Sequence, residues 1–279
     1  MNRFLSRLVL AVMQARASRA NWIRYYRFMH TLQDSIVTLN CGALPLSERD
    51  QIDLVSVAFD NVPVVAHQIR LIQKYLQDPH VFTVGDNSSD PQKRDALLAL
   101  CEQHKVCYLR LPPNPYTGVD ASVSHGAALN WLYHQYIRKR SARYFGFIDH
   151  DVFPIRPTRL IPEISVRGVY GHIQERGNRW YLWAGFCFFG RDAVRDVDLD
   201  FLPCEGLDTG GGNWSRLYCR LNRVNLSSPS YECAKLREGS CRQADIYEMI
   251  GDWVHTLNAS SWMAVPDKDD LVGALLSRF

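Results

Sequence analysis

The sequence predicts an α/β fold in which helices flank a mainly parallel sheet. Apolar runs typical of buried strands alternate with segments of helical periodicity through the first half of the chain. This alternation at short spacing indicates parallel strands joined by right-handed crossovers. Polar residues follow several of the apolar runs, and ligands of such sheets bind beyond the carboxyl ends of the strands. We therefore expect one binding site at that edge of the sheet.

The alternation occupies the chain from residue 52 to residue 110. Its predicted elements are, in order, strand 52–59, helix 64–76, strand 80–84, helix 95–104 and strand 106–110. A proline-rich connector follows, and a further helix begins near Asp120 with small residues in its first turns. Those small residues allow a phosphate or sugar to approach the helix amides, or allow the helix to pack closely on its neighbours.

An apolar, aromatic strand predicted over residues 144–148 leads directly into Asp149 and Asp151. Pro154 then prevents the strand from continuing as an interior ladder. Two carboxylates at the open end of a buried strand suit Mn²⁺ or Mg²⁺ shared with substrate phosphates. The spacing also occurs at residues 196–200 and 267–269, where a solvated surface is the better interpretation. The apolar strand distinguishes Asp149 and Asp151.

Three polar strand ends are expected to converge at this site. Asp60 and Asn61 follow the first strand, residues 86–90 follow the second, and residues 149–151 follow the aromatic strand. Each group taken singly is also typical of turns and helix caps. Their common position at one edge of the sheet favours a shared crevice.

These segments, with the helix that ends at Asn130, resemble the family 2 type of glycosyltransferases, which have the GT-A fold. The resemblance covers roughly residues 52–262. It implies transfer of a sugar, with inversion, from a nucleoside diphosphate donor to a hydroxyl of a growing glycan or a lipid-linked acceptor. UDP, GDP and dTDP are the candidate nucleotides, and a bacterial envelope pathway would suit such acceptors.

The resemblance also assigns roles to residues. It implies that Asp86 binds the base and that Asp149 and Asp151 hold Mn²⁺ or Mg²⁺ against the diphosphate. Gly85 and Leu129 depart from the family pattern, which leaves the identity of the base open. The predicted donor-binding residues are Ala58, Asp60, Asn61, Asp86, Asn87, Ser88, His125, Asn130, Asp149 and His150.

A hairpin is predicted over residues 169–189, and its aromatic side chains are expected to cover the site. Trp183 is the candidate for stacking on an acceptor sugar, although tryptophans in such strands also serve the core. Farther along, Asp208 is followed by Gly210 and Gly211. Asp208 is the candidate general base, with Glu205 in reserve, and the glycines would leave room for the acceptor.

His255 lies in a polar, aromatic stretch that follows a predicted helical segment. Several GT-A enzymes complete the metal shell with a histidine near the C-terminus, so the resemblance implies this role for His255. Imidazole is acceptable to Mn²⁺ but unusual for Mg²⁺. A purely structural histidine is the alternative.

The domain organisation predicted is a basic helical appendage at residues 1–50 and one catalytic domain at residues 51–279. Six arginines fall within the first thirty residues, and apolar positions between 4 and 13 form one side of a helix. We expect peripheral contact with a membrane through residues 1–30, or packing on the protein's own surface. The net charge of +3 is too small to argue for nucleic acid.

The eight cysteines are scattered and form no CxxC pair, which favours free thiols and a cytoplasmic location. If the appendage binds a membrane, the protein is expected on the inner face of that membrane.

Two other functions compete with sugar transfer. A nucleotidyltransferase should carry a glycine-rich, basic loop after the first strand, and residues 58–61 contain neither glycine nor lysine. A non-catalytic carbohydrate- or nucleotide-binding protein would keep the aromatic hairpin without needing the metal carboxylates.

Overall fold

The structure is a computed structural model that describes residues 19–32, 37–40, 50–236, 245–256 and 268–279. Its strands are β1 (Thr38–Leu39), β2 (Ile52–Ala58), β3 (His80–Asp86), β4 (Cys107–Arg110), β5 (Tyr144–Asp149), β6 (Val152–Pro154), β7 (Val169–Arg176), β8 (Arg179–Gly190), β9 (Tyr231–Lys235), β10 (Ile246–Ile250) and β11 (Trp253–Thr256). Its α-helices are α1 (residues 19–29), α2 (Val62–Tyr75), α3 (Pro91–His104), α4 (Ala121–Trp131), α5 (Ile161–Arg167), α6 (Asn213–Arg216) and α7 (Lys268–Leu276).

The central sheet has seven strands in the order β1-β4-β3-β2-β5-β8-β7. Its middle strands β4, β3, β2 and β5 are parallel to one another, while β1, β8 and β7 join the two edges antiparallel. The predicted α/β class with a parallel centre is confirmed, and so is the hairpin, which is formed by β7 and β8. The strands of the centre therefore bring their carboxyl ends to one edge.

Asparagine and aspartate side chains fix where the helices begin. Asn61, Asp90 and Asp120 are the N-caps of α2, α3 and α4, and each accepts a hydrogen bond from a backbone N–H in the first turn. Because Asp90 caps α3 and Pro91 starts it, this helix begins four residues before the predicted Asp95. The polar residues after β2 and β3 thus have a structural use as well.

Gly146 determines how closely β5 lies against β8. A Cβ atom at this position would be 2.1 Å from Cδ1 of Phe188, so only glycine fits. Phe145 and Phe147 on the same strand are buried in an aromatic core with Phe189 and Phe201. This packing fixes the position of β5 and so of the residues that follow it.

A second sheet, which the sequence did not predict, has the order β6-β11-β10-β9. The helical segment expected before Asp252 is wrong, because residues 246–250 form strand β10. Tyr247 and Met249 pack on a small hydrophobic core beneath this sheet, whereas Glu248 between them lines a cleft on the other side. That alternation has the period of two that strands require.

The N-terminal segment contacts the domain directly where the structure describes it. Phe28 of α1 is buried in the main core, and the indole N–H of Trp131 donates to the carbonyl of Thr31 at 2.9 Å. β1 pairs with β4 and so extends the central sheet. The predicted interfacial helix at residues 4–13 lies outside the described residues. No helix within the described residues is both long and apolar enough to cross a bilayer.

The cysteines among the described residues divide into two groups. The expectation of free thiols is confirmed for Cys101, Cys187, Cys204, Cys219 and Cys233. It is wrong for Cys107, which is disulfide-bonded. Scattered spacing could not reveal this bond, because disulfide partners are set by the fold and need not be close in the sequence.

Candidate active site

A cleft of about 830 Å³ lies at the carboxyl ends of the parallel strands. It is lined by residues at or just after the ends of β2, β3 and β5. This is where ligands of parallel α/β sheets bind. The cleft brings together eight of the predicted site residues, which are Asn87, His125, Asp149, His150, Asp151, Trp183, Asp208 and His255.

Asp149 and Asp151 lie where the chain passes from the central sheet to the second sheet. Asp149 ends β5, and β6 begins one residue after Asp151. The buried amide of Gln68 donates to the carbonyl oxygens of Asp149 and Val152 at 2.7 and 2.9 Å. His150, between the two carboxylates, turns inward and its Nδ1 donates to the carbonyl of Val57 at 3.2 Å. The backbone of this turn is therefore held from both sides.

The two carboxylates differ in their surroundings. Oδ1 of Asp149 is 3.2 Å from Nε2 of His125, yet it has no hydrogen bond of good geometry among the described residues. Asp151 is buried, and its Oδ1 lies 3.6 Å from Nε2 of His255. Burial raises the pKa of Asp151 above its ordinary value, against the opposing effect of the nearby His255 and His150. The charge of the partly exposed Asp149 also raises the pKa of Asp151, so the pair of carboxylates favours a positively charged ligand.

His255 is held by residues that the sequence analysis missed. Its Nδ1 donates to Oε2 of Glu248 at 2.7 Å, and the hydroxyl of Tyr231 donates to Oε1 of the same carboxylate at 2.5 Å. Burial acts to lower the pKa of His255, but Asp151 and Glu248 raise it more. Glu248 has a lowered pKa despite its burial, because His255 and Tyr231 donate to it.

The aromatic rings of Trp183, His172 and Tyr231 form a ring system at this part of the cleft. The ring of Trp183 lies 4.6 Å from that of His255, and His172 contacts Trp183 edge-on at 6.2 Å. His172 in turn stacks on Tyr231 at 4.6 Å. Trp183 is partly exposed, as a side chain that stacks on a sugar must be.

Asp208 lies on the loop after β8 and is exposed at the cleft. Its Oδ1 accepts from the backbone N–H of Thr209 at 2.7 Å, and its own N–H donates to the hydroxyl of Tyr181 at 3.2 Å. Gly210 has a φ of 93° and Gly211 leaves no room for a Cβ, which would be 2.3 Å from that of Leu207. The glycines serve the turn itself and do not line the cleft.

The other predicted donor-binding residues lie beside the cleft and bind neighbouring parts of the chain. Asp86 is fully buried and accepts from the hydroxyl of Tyr108 at 2.6 Å and from the N–H of Ser88 at 2.9 Å. Asp60 accepts from the hydroxyl of Ser89, which ties the ends of β2 and β3 together. The structure brings none of these carboxylates to the cleft surface.

The remaining predicted positions also lie outside the lining of the cleft. The side chain of Asn130 donates to the hydroxyl of Tyr25 and to Asp200, both at 2.8 Å. Ala58 is buried in the core, Asn61 caps α2 and Glu205 pairs with Arg179 at the surface.

The three residues predicted to hold a metal, Asp149, Asp151 and His255, all line the cleft. The described part of the chain contains no group of three or more His, Cys, Asp or Glu side chains already arranged around one point. The chemistry of the donor set fits a divalent cation, however, because Asp149 has an oxygen without a hydrogen bond and Asp151 faces His255. Carboxylate oxygen with one imidazole suits Mn²⁺.

No protein-family profile matches the chain, and no curated protein matches it. Solved glycosyltransferases are similar to it. The mannosyltransferase PcManGT from Pyrobaculum calidifontis, in complex with GDP-Man and Mn²⁺, is 13% identical over 74% of this chain and 61% of its own, with a TM-score of 0.41. The galactosyltransferase LgtC, in complex with donor and acceptor sugar analogs, is 15% identical over 50% and 57%, with a TM-score of 0.35. S. aureus TarS in complex with UDP-GlcNAc is 11% identical over 54% and 48%, with a TM-score of 0.34. The chain thus spans about half to three fifths of the length of these structures.

Proposed function

We propose that this protein is a metal-dependent, inverting glycosyltransferase that uses a nucleoside diphosphate sugar. The observation that carries the proposal is the cleft at the carboxyl ends of the parallel strands, where Asp149 and Asp151 lie at the end of β5 and Asp208 lies on a separate loop. Asp149 and Asp151 suit a cation that binds a diphosphate, and Asp208 is exposed for proton transfer. The resemblance of the sequence to family 2 glycosyltransferases supports the same donor class.

In this proposal Asp149, Asp151 and His255 would hold the cation. Mn²⁺ or Mg²⁺ supplies positive charge that stabilises the departing diphosphate. Asp208 accepts the proton of the acceptor hydroxyl as that oxygen attacks the sugar carbon, so the acceptor and the nucleotide lie on opposite sides of the sugar. Asn87 and His125, which line the cleft, are available to orient the donor.

The experiment is calorimetric binding of UDP, GDP and dTDP to the protein, each with Mn²⁺ and with EDTA. We expect one nucleotide to bind only with Mn²⁺ and the Asp151→Asn variant not to bind it. Asp196→Asn is the matched control, because Asp196 has the same spacing to its neighbouring acid but is exposed outside the cleft. The nucleotide that binds then selects the sugar donors for a transfer assay.

A carbohydrate-binding protein without catalysis is the second candidate, and the ring system of Trp183, His172 and Tyr231 favours it. If no nucleotide binds under either condition, the transferase proposal fails and this candidate takes its place. Binding of a nucleotide that is equal in EDTA and in the Asp151→Asn variant would exclude the metal role of the carboxylates.

Glu248→Ala is expected to weaken Mn²⁺ binding about 10- to 100-fold, the usual effect of removing a carboxylate that orients a metal-binding histidine. Without this carboxylate the ring of His255 loses the hydrogen bond at its Nδ1. Mn²⁺ titration followed by electron paramagnetic resonance measures the change without any assay of activity. Glu248→Gln should recover part of the affinity, since the amide oxygen can still accept; unchanged affinity in both variants would contradict the assignment.

Trp183→Ala is expected to raise the KM for the acceptor about tenfold, because the stacking face of the ring is lost. The KM for the donor should change little. Trp180, which is buried in the core beside Tyr218, is the comparison. Trp180→Ala should lower thermal stability instead, and an equal effect of Trp183→Ala on stability would indicate a core residue and not an acceptor platform.

A further inference from the structure

We propose that the outward face of α1 docks on the surface of a bilayer that carries anionic headgroups. The inference is independent of the proposed sugar transfer. It begins with two exposed aromatic side chains, because Trp22 is 63% exposed and Tyr26 is 48% exposed. Rings with a polar edge are enriched where headgroups meet acyl chains, since one end is apolar and the other is wet.

The exposed rings form an ordered row. Trp22, Tyr26 and His30 are spaced four residues apart and so lie on the same side of the chain. The first two rings are stacked with their centres 5.3 Å apart, and the second and third are stacked at 3.9 Å. Nδ1 of His30 also donates to the carbonyl of Tyr26 at 2.9 Å. The row therefore presents one continuous aromatic surface to the outside.

The opposite face of α1 already has its partners. Phe28 is buried in the main core, and the hydroxyl of Tyr25 accepts from Asn130 at 2.8 Å. The side chain of Gln135 donates to the carbonyl of Met29 at 2.8 Å. The helix is thus anchored to the domain by its inner face, and the outer row is left for another partner.

The charges of α1 select an anionic partner. Arg19, Arg24 and Arg27 are exposed on α1, and no acidic residue precedes Asp34 in the sequence. Each arginine close to an anionic membrane strengthens binding about fivefold. A second copy of the chain would bring the same positive charges to the contact, so self-association through this face is disfavoured.

The inner face of α1 contacts a segment that leads to the cleft. The ring of Tyr25 is 6.3 Å from that of Tyr116, whose carbonyl accepts from the N–H groups of Val119 and Asp120 at 3.0 and 3.2 Å. Val119 and Asp120 line the cleft, and Val119 is 78% exposed. A bilayer bound to the outer face of α1 would therefore lie on the helix that contacts this segment.

The experiment is flotation of the full chain with vesicles of phosphatidylcholine alone or mixed with phosphatidylglycerol. We expect binding to the mixed vesicles only. W22S/Y26S should lower the partition coefficient about tenfold, which corresponds to burial of part of each ring. R19Q/R24Q/R27Q should lower it about a hundredfold, as expected for three interfacial charges.

Two controls match these variants. V224S removes a side chain that is 91% exposed elsewhere, and R159Q/R167Q/R220Q removes three exposed arginines elsewhere for the same change in net charge. Both should bind as the unmodified protein does. Quenching of tryptophan fluorescence by brominated lipid, smaller in W22F than in the unmodified protein, tests the contact without a disruptive substitution. Absence of vesicle binding, equal losses in the control variants, or quenching unchanged in W22F would each overturn the proposal.

Discussion

Replacing Asp208 by asparagine is expected to lower kcat for sugar transfer by about 10²- to 10⁴-fold, the usual contribution of a positioned general base. Asparagine keeps an oxygen that can accept from the N–H of Thr209, so the loop should keep its conformation. The amide cannot take a proton at neutral pH. The affinity for the nucleotide with Mn²⁺ should not change, because Asp208 lies on a different element from Asp149 and Asp151.

Glu205→Gln provides the comparison for this prediction. Glu205 is an exposed carboxylate on the same loop, but it pairs with Arg179 at 2.5 Å and does not line the cleft. We expect the kcat of the Glu205→Gln variant to stay near that of the unmodified protein. Single-turnover kinetics separates the transfer step from product release. If Asp208→Asn transfers at the normal rate in that measurement, Asp208 is not the base, and a loss in Glu205→Gln would move the role there.

The sequence could predict the parallel centre because its signals are local. Residues 52–58 are a buried apolar run and form β2, and Asp90 and Asp120 stand next to the helices that they cap. The same locality explains Asp149 and Asp151, since a buried strand that ends in carboxylates can be recognised without its neighbours. Because ligands of such sheets bind beyond the carboxyl ends of the strands, both carboxylates are then expected in one cleft.

The support for His255 could not be predicted with the same ease, because it depends on strand pairing. Glu248 lies directly opposite His255 only after β10 and β11 pair. One local signal was present, namely the turn at Gly251 and Asp252 between two short alternating segments. A strand predicted over residues 246–250 would pair with the next strand through this turn, and Glu248 would then lie opposite His255 on the same face of the sheet.

Several of the predicted donor-binding residues lie beside the cleft for a related reason. Asp60, Asn61 and Ser88 follow strands and point to the correct edge, but their side chains bind the chain itself. Position along a strand predicts the edge of the sheet, whereas the direction of each side chain depends on contacts between segments far apart in sequence. Asp86, for example, is bound by Tyr108 on the neighbouring strand.

Asp53→Ala is expected to lower the free energy of unfolding by about 3–5 kcal/mol, the usual cost of breaking a buried ion pair. Asp53 is fully buried near the start of β2, and its oxygens contact Nε of Arg140 at 2.7 Å and Nη2 of Arg191 at 3.3 Å. Burial raises the pKa of Asp53, and the two guanidinium groups oppose that shift. Denaturant unfolding measures the loss.

Most of this loss of stability should come from the guanidinium groups of Arg140 and Arg191, which no longer have the Asp53 carboxylate as a partner. The side chain of Arg140 is only 8% exposed, so without Asp53 its charge stays buried near that of Arg191. Adding Arg140→Met to Asp53→Ala should therefore recover part of the stability, although it removes another polar side chain. Asp50→Ala breaks a pair of the same type with Arg143 that is exposed to solvent, and it should change stability little. Equal effects of the Asp53 and Asp50 substitutions would show that burial of the pair does not determine its contribution.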